Sequence, residues 1–197
     1  MRSKLFVPAS RPELFAKALG GDADAIAFDL EDAVPPAHKA AARQALAGWL
    51  ATRPDPGPGR CLMLRSNAPG SADFDADLAA VPLAALSLLN LPKVESVDQV
   101  QLAAQQLAAA EAAQGLSAPL PLLLNIETPR ALRRAADLAA AHPRVVGLQL
   151  GLADLFEPAG ISRSDSAAVH AVMLALRLAA AEAGVYALDS AFTDLKD

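Results

Sequence analysis

Seven short apolar runs, each separated from the next by a helix-forming or turn segment, limit what this chain can fold into. The runs are 4-KLFVP-8, 25-AIAFDLE-31, 61-CLMLRSN-67, 86-LSLLNLPKV-94, 120-LPLLLNIE-127, 145-VVGLQLG-151 and 185-VYALDS-190. Between them lie 11-RPELFAKALGG-21, 38-HKAAARQALAGWLA-51, 98-DQVQLAAQQLAAAEAAQ-114, 130-RALRRAADLAAAH-142 and 167-AAVHAVMLALRLAAAEAG-184, and 73-DFDADLAAV-81 predicts a shorter helix. The helical stretches carry apolar residues at i, i+3 and i+4. Asp98 is placed to cap its helix and Gly184 to stop one. The strands are apolar almost throughout, as expected when both faces of a sheet are covered.

Regular alternation of strand and helix implies a parallel sheet. Seven strands suit an open doubly wound sheet or a (β/α)8 barrel, which ordinarily takes about 250 residues. The chain has 197 residues and reaches its seventh strand near residue 185. A barrel would therefore lack its last βα unit, or take its eighth strand from another chain. Residues 1–197 are expected to form one domain, with 53-RPDPGPGR-60 as a loop inside it.

Composition removes several classes of function. At 53% hydrophobic and 20% charged, the chain can bury a large core and does not read as disordered. A net charge of −5 without a basic stripe argues against a nucleic-acid partner. No apolar run approaches the roughly 18 residues of a membrane span. The start, MRSKLFVPAS, is too short in apolar residues for a signal peptide and reads as a strand. Cys61 has no partner for an internal disulfide and reads as a buried, reduced thiol among Leu62, Met63 and Leu64. Together these features lead to the expectation of a cytoplasmic protein.

The chemistry lies at one end of the runs. Strand 2 ends in Asp29, Glu31 and Asp32, strand 3 in Arg65 and Asn67, strand 4 in Lys93 and Glu95, and strand 5 in Asn125 and Glu127. Strand 6 is followed by 151-GLADL-155 with Asp154, and strand 7 ends in Asp189. In parallel barrels the carboxyl ends of the strands carry function. Alternation puts Asn125 and Glu127 on one side, and likewise Asp29 and Glu31. Carboxylates on neighbouring strands can share one ion. With no His or Cys cluster to favour zinc or copper, Mg²⁺ is the expected metal, with Glu127 and Asp154 as its ligands. Arg65 would grip a substrate carboxylate through its fork.

Each residue also has a plainer role. Asp154 could cap a short helix at Leu155, Arg65 could pair with Asp29 or Glu31, and Lys93 with Glu95 could form a rim ion pair. His38, His142 and His170 read as structural, and Trp49 as a core residue of its helix. It is the repetition of polar groups at one end of nearly every strand that favours a site.

These motifs resemble the HpcH/HpaI aldolase and citrate lyase β-subunit family, in its citrate-lyase-β-like branch. The resemblance is carried by 2-RSKLFVPASRPELFAKAL-19, 28-FDLEDAVPPAHKAAAR-43, 65-RSN-67, 91-LPKVE-95, 126-IET-128 and 151-GLADL-155, in the family's order. It implies a (β/α)8 barrel and Mg²⁺-dependent cleavage or formation of a carbon–carbon bond in citryl, malyl or citramalyl thioesters of CoA or an acyl carrier protein. Glu127 and Asp154 would bind the metal. Arg65 would act on the substrate carboxylate, and Glu31 and Asp32 would order metal-bound water, with either as the general base. Pro8, Ser10 and Arg11 would lie near the thioester or pantetheine, and Lys93 would be a further substrate-binding residue. A homo-oligomer, expected to be a trimer, follows from the resemblance alone. Alternatives are an aldolase of free hydroxy acids and a non-catalytic acyl-CoA-binding or assembly protein that retains the metal site. The family's Pro-Gly turn is Pro8-Ala9 here, and its Asp-Gly-Pro is Asp189-Ser190-Ala191. Family members ordinarily continue past the point matching Asp197, with strand 8, a closing helix and a segment that packs on the neighbouring subunit.

Overall fold

The computed structural model describes residues 1–192 except 54, 56 and 58, so part of the expected 53–60 loop lies outside the described residues. Seven strands form one sheet: β1 (Lys4–Pro8), β2 (Ala25–Asp29), β3 (Cys61–Arg65), β4 (Leu88–Leu91), β5 (Leu122–Ile126), β6 (Val145–Leu150) and β7 (Tyr186–Leu188). They are hydrogen-bonded in sequential order, and every pair is parallel. The helices are α1 (Phe15–Leu19), α2 (Lys39–Thr52), α3 (Ala72–Ala80), α4 (Val97–Ala113), α5 (Pro129–Arg133), α6 (Ala135–Ala140), α7 (Leu152–Phe156) and α8 (Ser166–Glu182).

The sheet curls strongly. Laid flat, β1 and β6 would stand about 24 Å apart at the usual spacing of parallel strands. Instead Lys4 Nζ on β1 hydrogen-bonds Gln149 Oε1 on β6 at 2.6 Å and Asn90 Oδ1 on β4 at 2.9 Å. The concave face carries Ala25, Ala27, Met63, Leu88 and Leu123, which form their own small apolar cluster. The convex face meets the helices in the larger core, where Phe15 packs edge-on against Phe28 and Trp49 and the latter two meet at a tilt, with ring centroids 5.2–5.4 Å apart. The described residues thus form a curled seven-stranded parallel sheet with β1 and β7 as its edges, a half-barrel in keeping with seven of the eight strands of the expected barrel.

Local expectations fared unevenly. Every strand is found, but most are trimmed, chiefly at the carboxyl end, because their polar ends have already left the ladder for the loops. Ser96, not Asp98, caps α4. Its side chain accepts from the Gln99 amide while Gln99 reaches back to the cap, a reciprocal capping box that leaves Asp98 in the first turn. The predicted helix over 130–142 breaks at Arg134 into α5 and α6. Gly184 ends α8 at φ 69°, a conformation that glycine adopts without strain. Cys61 is half-buried rather than buried. No helix among the described residues is long and apolar enough to cross a membrane.

Two buried polar networks hold the ends of the sheet. At the amino ends, Glu111 of α4 makes two 2.7 Å bonds to Arg144 and accepts from the Leu120 amide, tying α4 to the entries of β5 and β6. At the carboxyl ends, Lys39 Nζ donates to the Leu30 and Glu31 carbonyls and to Asn67, while Arg43 Nε donates to Asp77 at 2.6 Å. Asp77, fully buried, also receives the backbone and side-chain N–H groups of Asn67. These contacts explain the trailing Lys and Ala-Arg of the 28–43 motif: they staple the loops after β2 and β3 to α2 and α3. Asp77→Ala would leave the Arg43 guanidinium buried and short of its main partner. The expected loss is about 3–5 kcal/mol, measured by urea unfolding.

Candidate functional site

The carboxyl ends of β3, β5 and β6 and the segment after β7 line one cleft of about 150 Å³, whose lining includes Arg65, Asn125, Glu127, Gly151, Asp154 and Arg163. Arg65 in its wall is paired with the buried Asp29 of β2. Arg65 Nε donates to Asp29 Oδ1 at 2.8 Å and Nη2 to Oδ2 at 2.5 Å, and Nη1 lies 3.3 Å from Glu31 Oε2. Asp29 Oδ1 also accepts the Glu31 amide at 2.9 Å. The pairing of Arg65 with Asp29 and Glu31, one of the plainer roles raised by the sequence, is therefore present. It leaves one N–H on Nη2, while Nη1 sits beside Glu31 without a hydrogen bond to it, and the guanidinium lies over the Phe6 ring at 5.1 Å. Its neighbouring carboxylates hold Arg65 firmly charged.

Glu127 is 2% exposed. Its Oε1 accepts the Lys93 amide at 2.6 Å and its Oε2 accepts from Asn125 Nδ2 at 3.1 Å. Burial, with the charges of Asp154 and Glu31 nearby, pushes its carboxyl up to about 7. Glu31 is likewise raised by burial, against the opposing pull of Lys93. Asp32, though partly desolvated, is held low by hydrogen bonds from Lys93 and Glu31. Asp154 stands exposed in the first turn of α7, where the helix N-terminus favours a carboxylate. Asp29, Glu31, Asp32, Glu127 and Asp154 thus outnumber the cations Arg65, Lys93 and Arg163, and Glu31 Oε2 is buried without a hydrogen bond. Among the described residues no three His, Cys, Asp or Glu side chains gather into a ready-made metal cage. Two oxygen-donor carboxylates at an open cleft suit a hard cation that keeps several of its waters.

Lys93 is the only non-glycine described residue with positive φ, at 55°. That backbone conformation costs on the order of 1 kcal/mol. It points the Lys93 amide at Glu127 while the side chain bridges Glu31 Oε1 at 2.5 Å and Asp32 Oδ1 at 2.8 Å. The rim pair expected between Lys93 and Glu95 does not form: Glu95 instead accepts from Thr128 Oγ1 at 2.7 Å. Pro8 lies in register with Asp29. Ser10 faces a separate groove of about 440 Å³ beside α2, and Arg11 is exposed and paired with Glu13, so neither joins the cleft. Asp189 is exposed, its Oδ1 taken by the Ser190 amide. His38 and His170 are exposed, and His142 accepts from the Arg144 amide.

Several contributors carry no signal of their own in the sequence. Arg163 stands at the cleft rim, its Nη2 on the Ala191 carbonyl. Ser190 Oγ accepts the Leu152 amide at 3.1 Å and so anchors the start of α7, the helix that presents Asp154. Asn90, Gln149 and Lys4 form a polar layer beneath Glu127 from inside otherwise apolar runs. Gly151 belongs to a motif the sequence did mark, and here its role has a number: a Cβ there would stand 2.5 Å from Glu127 Cβ and 2.9 Å from Glu127 Oε2. Gly151→Ala is therefore expected to displace Glu127 and cost about 1–3 kcal/mol, read by thermal unfolding of the metal-free protein. In that protein the raised Glu127 binds its proton more tightly folded than unfolded. Its contribution to stability is present below pH 4.5 and lost as pH rises to about 7. Glu127→Gln should flatten that fall.

Comparison with known proteins agrees with this fold. The family model HpcH/HpaI aldolase/citrate lyase matches residues 2–197. A citrate lyase subunit beta-like protein of Mycobacterium tuberculosis (strain CDC 1551 / Oshkosh) is 38% identical over 200 residues, covering 98% of this chain and 65% of that protein. A (3S)-malyl-CoA thioesterase of Cereibacter sphaeroides (strain ATCC 17023) is 36% identical over 197 residues, covering 100% of this chain and 65% of that protein. The chain therefore spans just under two thirds of these relatives' length. Among solved structures, the citrate lyase beta subunit of M. tuberculosis complexed with oxaloacetate and magnesium superimposes with a TM-score of 0.75 at 38% identity, covering 98% of this chain and 80% of that one. The M. tuberculosis protein CitE in complex with magnesium, acetoacetate and coenzyme A gives 0.76 at 37% identity, covering 100% and 68%. The parallel sheet with its acidic carboxyl-end cleft thus belongs to a member of the HpcH/HpaI aldolase/citrate lyase family.

Proposed function

We propose that this protein holds Mg²⁺ between Glu127 and Asp154 and acts as a carbon–carbon lyase on a short β-hydroxyacyl-CoA of the citryl, malyl or citramalyl type, giving acetyl-CoA and an oxoacid. The observation that carries this reading is Glu127: a buried carboxylate crowded by Asp154 and Glu31, beside a guanidinium that still has N–H groups to offer. The relatives' complexes with magnesium, an oxoacid and coenzyme A support it. The metal would supply Lewis-acid polarisation of the oxoacid oxygens.

The residues of the chain would then divide the remaining work. The free Nη N–H groups of Arg65 bind the oxoacid carboxylate, held in place by Asp29. Glu31 and Asp32 share one ammonium, Lys93, and their acidities are pushed in opposite directions. Such a divided pair suits removal of the hydroxyl proton by one carboxylate while the other remains an ion. The thioester would run outward toward Pro8, Ser10 and Arg11 from the β1 end of the cleft. A homo-oligomer, a trimer by resemblance, a cytoplasmic setting and a single barrel-like domain over residues 1–197, short of its last βα unit, belong to the same proposal.

A second reading is favoured by the thioesterase relative: hydrolysis of the same malyl thioester by water directed from Glu31 or Asp32. The products separate the two, since the lyase yields acetyl-CoA plus glyoxylate or pyruvate, and the thioesterase yields free CoA plus the intact hydroxy acid. Turnover of free hydroxy acids would favour the aldolase alternative, and binding of acyl-CoA without turnover the non-catalytic one. The metal site is tested by Mg²⁺ calorimetry with and without oxaloacetate or pyruvate. Binding should be tight only with both present and should strengthen as pH rises toward 7, because the carboxylate must be ionised to bind. Glu127→Gln should abolish it; wild-type binding by that variant would sink the assignment.

A further inference from the structure

A polar line runs through the concave face of the sheet. Lys4 Nζ donates to Asn90 Oδ1 at 2.9 Å; Asn90 Nδ2 donates to Asn125 Oδ1 at 2.9 Å; Asn125 Nδ2 donates to Glu127 Oε2 at 3.1 Å. It links β1, β4, β5 and the residue just past β5. Its inner members are dry, with Asn90 0%, Asn125 4% and Glu127 2% exposed.

An amide has two chemically opposite ends, and only the N–H₂ end of Asn125 suits the Glu127 carboxylate. With the wrong end forward, an amide oxygen would meet a carboxylate oxygen in a site with no water to intervene, a contact that costs rather than stabilises. The same orientation is held from further along. Asn90 Nδ2 is committed to the Leu123 carbonyl at 3.1 Å as well as to Asn125, and Asn90 Oδ1 is committed to Lys4. Lys4 is itself fixed by Gln149 Oε1 at 2.6 Å and by the Phe6 ring at 4.4 Å. Burial and the nearby Arg65 charge lower Lys4 to about 7. Even as a neutral amine it keeps two N–H groups, one for each amide oxygen it meets.

We propose that Lys4 is a positioning residue for Glu127, heading a hydrogen-bond relay of fixed polarity through Asn90 and Asn125 that aims one Glu127 oxygen while the Lys93 amide aims the other. The functional part of this inference rests on Glu127 being the metal ligand proposed above. Its sign distinguishes it from a purely electrostatic role. A cation this close to a metal site opposes a divalent ion, so deleting the charge alone should tighten Mg²⁺ binding. Loss of positioning should weaken it, and outer-shell partners of metal ligands are commonly worth 10–100-fold.

The test compares Lys4→Met, Lys4→Gln and Lys4→Arg in two measurements. In the metal-free protein, side-chain amide spectra should show one Asn125 environment in wild type and Lys4→Arg, and two or exchange-broadened ones in Lys4→Met and Lys4→Gln. By calorimetry with oxaloacetate, Lys4→Met should weaken Mg²⁺ binding about tenfold. Mg²⁺ binding that is unchanged or tighter in Lys4→Met, with a single Asn125 signal, would overturn the proposal. Should Lys4→Met fail to fold, Asn90→Leu interrupts the same line one link later and must show the same loss. If wild type binds no Mg²⁺, the metal reading fails, and the amide spectra alone decide the relay.

Discussion

The site is organised around one buried ion pair. Asp29 ends β2 with 2% exposure, and its two oxygens are matched by the Arg65 fork from the neighbouring strand. A carboxylate that deep is tolerated because its charge and its lone pairs are both met. The pair also does two things for the residues around it. It accepts the Glu31 amide, which sets the path of the loop after β2, and it presents the remaining N–H groups of Arg65 to the cleft. Without it, neither the acidic loop nor the guanidinium has a defined direction.

Around that pair, rigidity is supplied from outside the cleft. Lys39 and Arg43 hold the loops after β2 and β3 from α2, with Asp77 of α3 as their shared partner through Asn67. Ser190 holds the start of α7, and Gly151 permits the loops after β5 and β6 to touch at Glu127. The strained Lys93 backbone belongs to the same arrangement: a residue in the left-handed region that serves two carboxylates with its side chain and a third with its amide. The charge imbalance in the cleft persists only because these surrounding contacts prevent the carboxylates from moving apart.

Much of this was legible along the chain. The seven strands follow from apolar runs whose length and alternation with helical stretches allow little else. Arg65, Glu127 and Asp154 were found because polar groups recur at one end of nearly every run. What could not be read was which polar residues meet. The Lys93–Glu95 pair looked plausible from proximity in sequence, but the turn at Lys93 sends its side chain to the β2 loop instead. Ser96 displaced Asp98 as a cap because capping depends on local backbone geometry, which spacing alone does not specify. Ser10 and Arg11 lie in a matching motif, yet they face a groove and solvent outside the cleft.

By itself the sequence determined the parallel sheet and the end at which the chemistry gathers, since both follow from periodicity and from residue type at strand termini. Only the tertiary structure decided the partners. The curl of the sheet brings Lys4 to Asn90 and Gln149 across 86 and 145 residues of chain, turning isolated polar residues in apolar runs into one connected layer. Curvature is a property of the assembled strands and no single segment encodes it, so the contacts it creates become visible only once the strands are together.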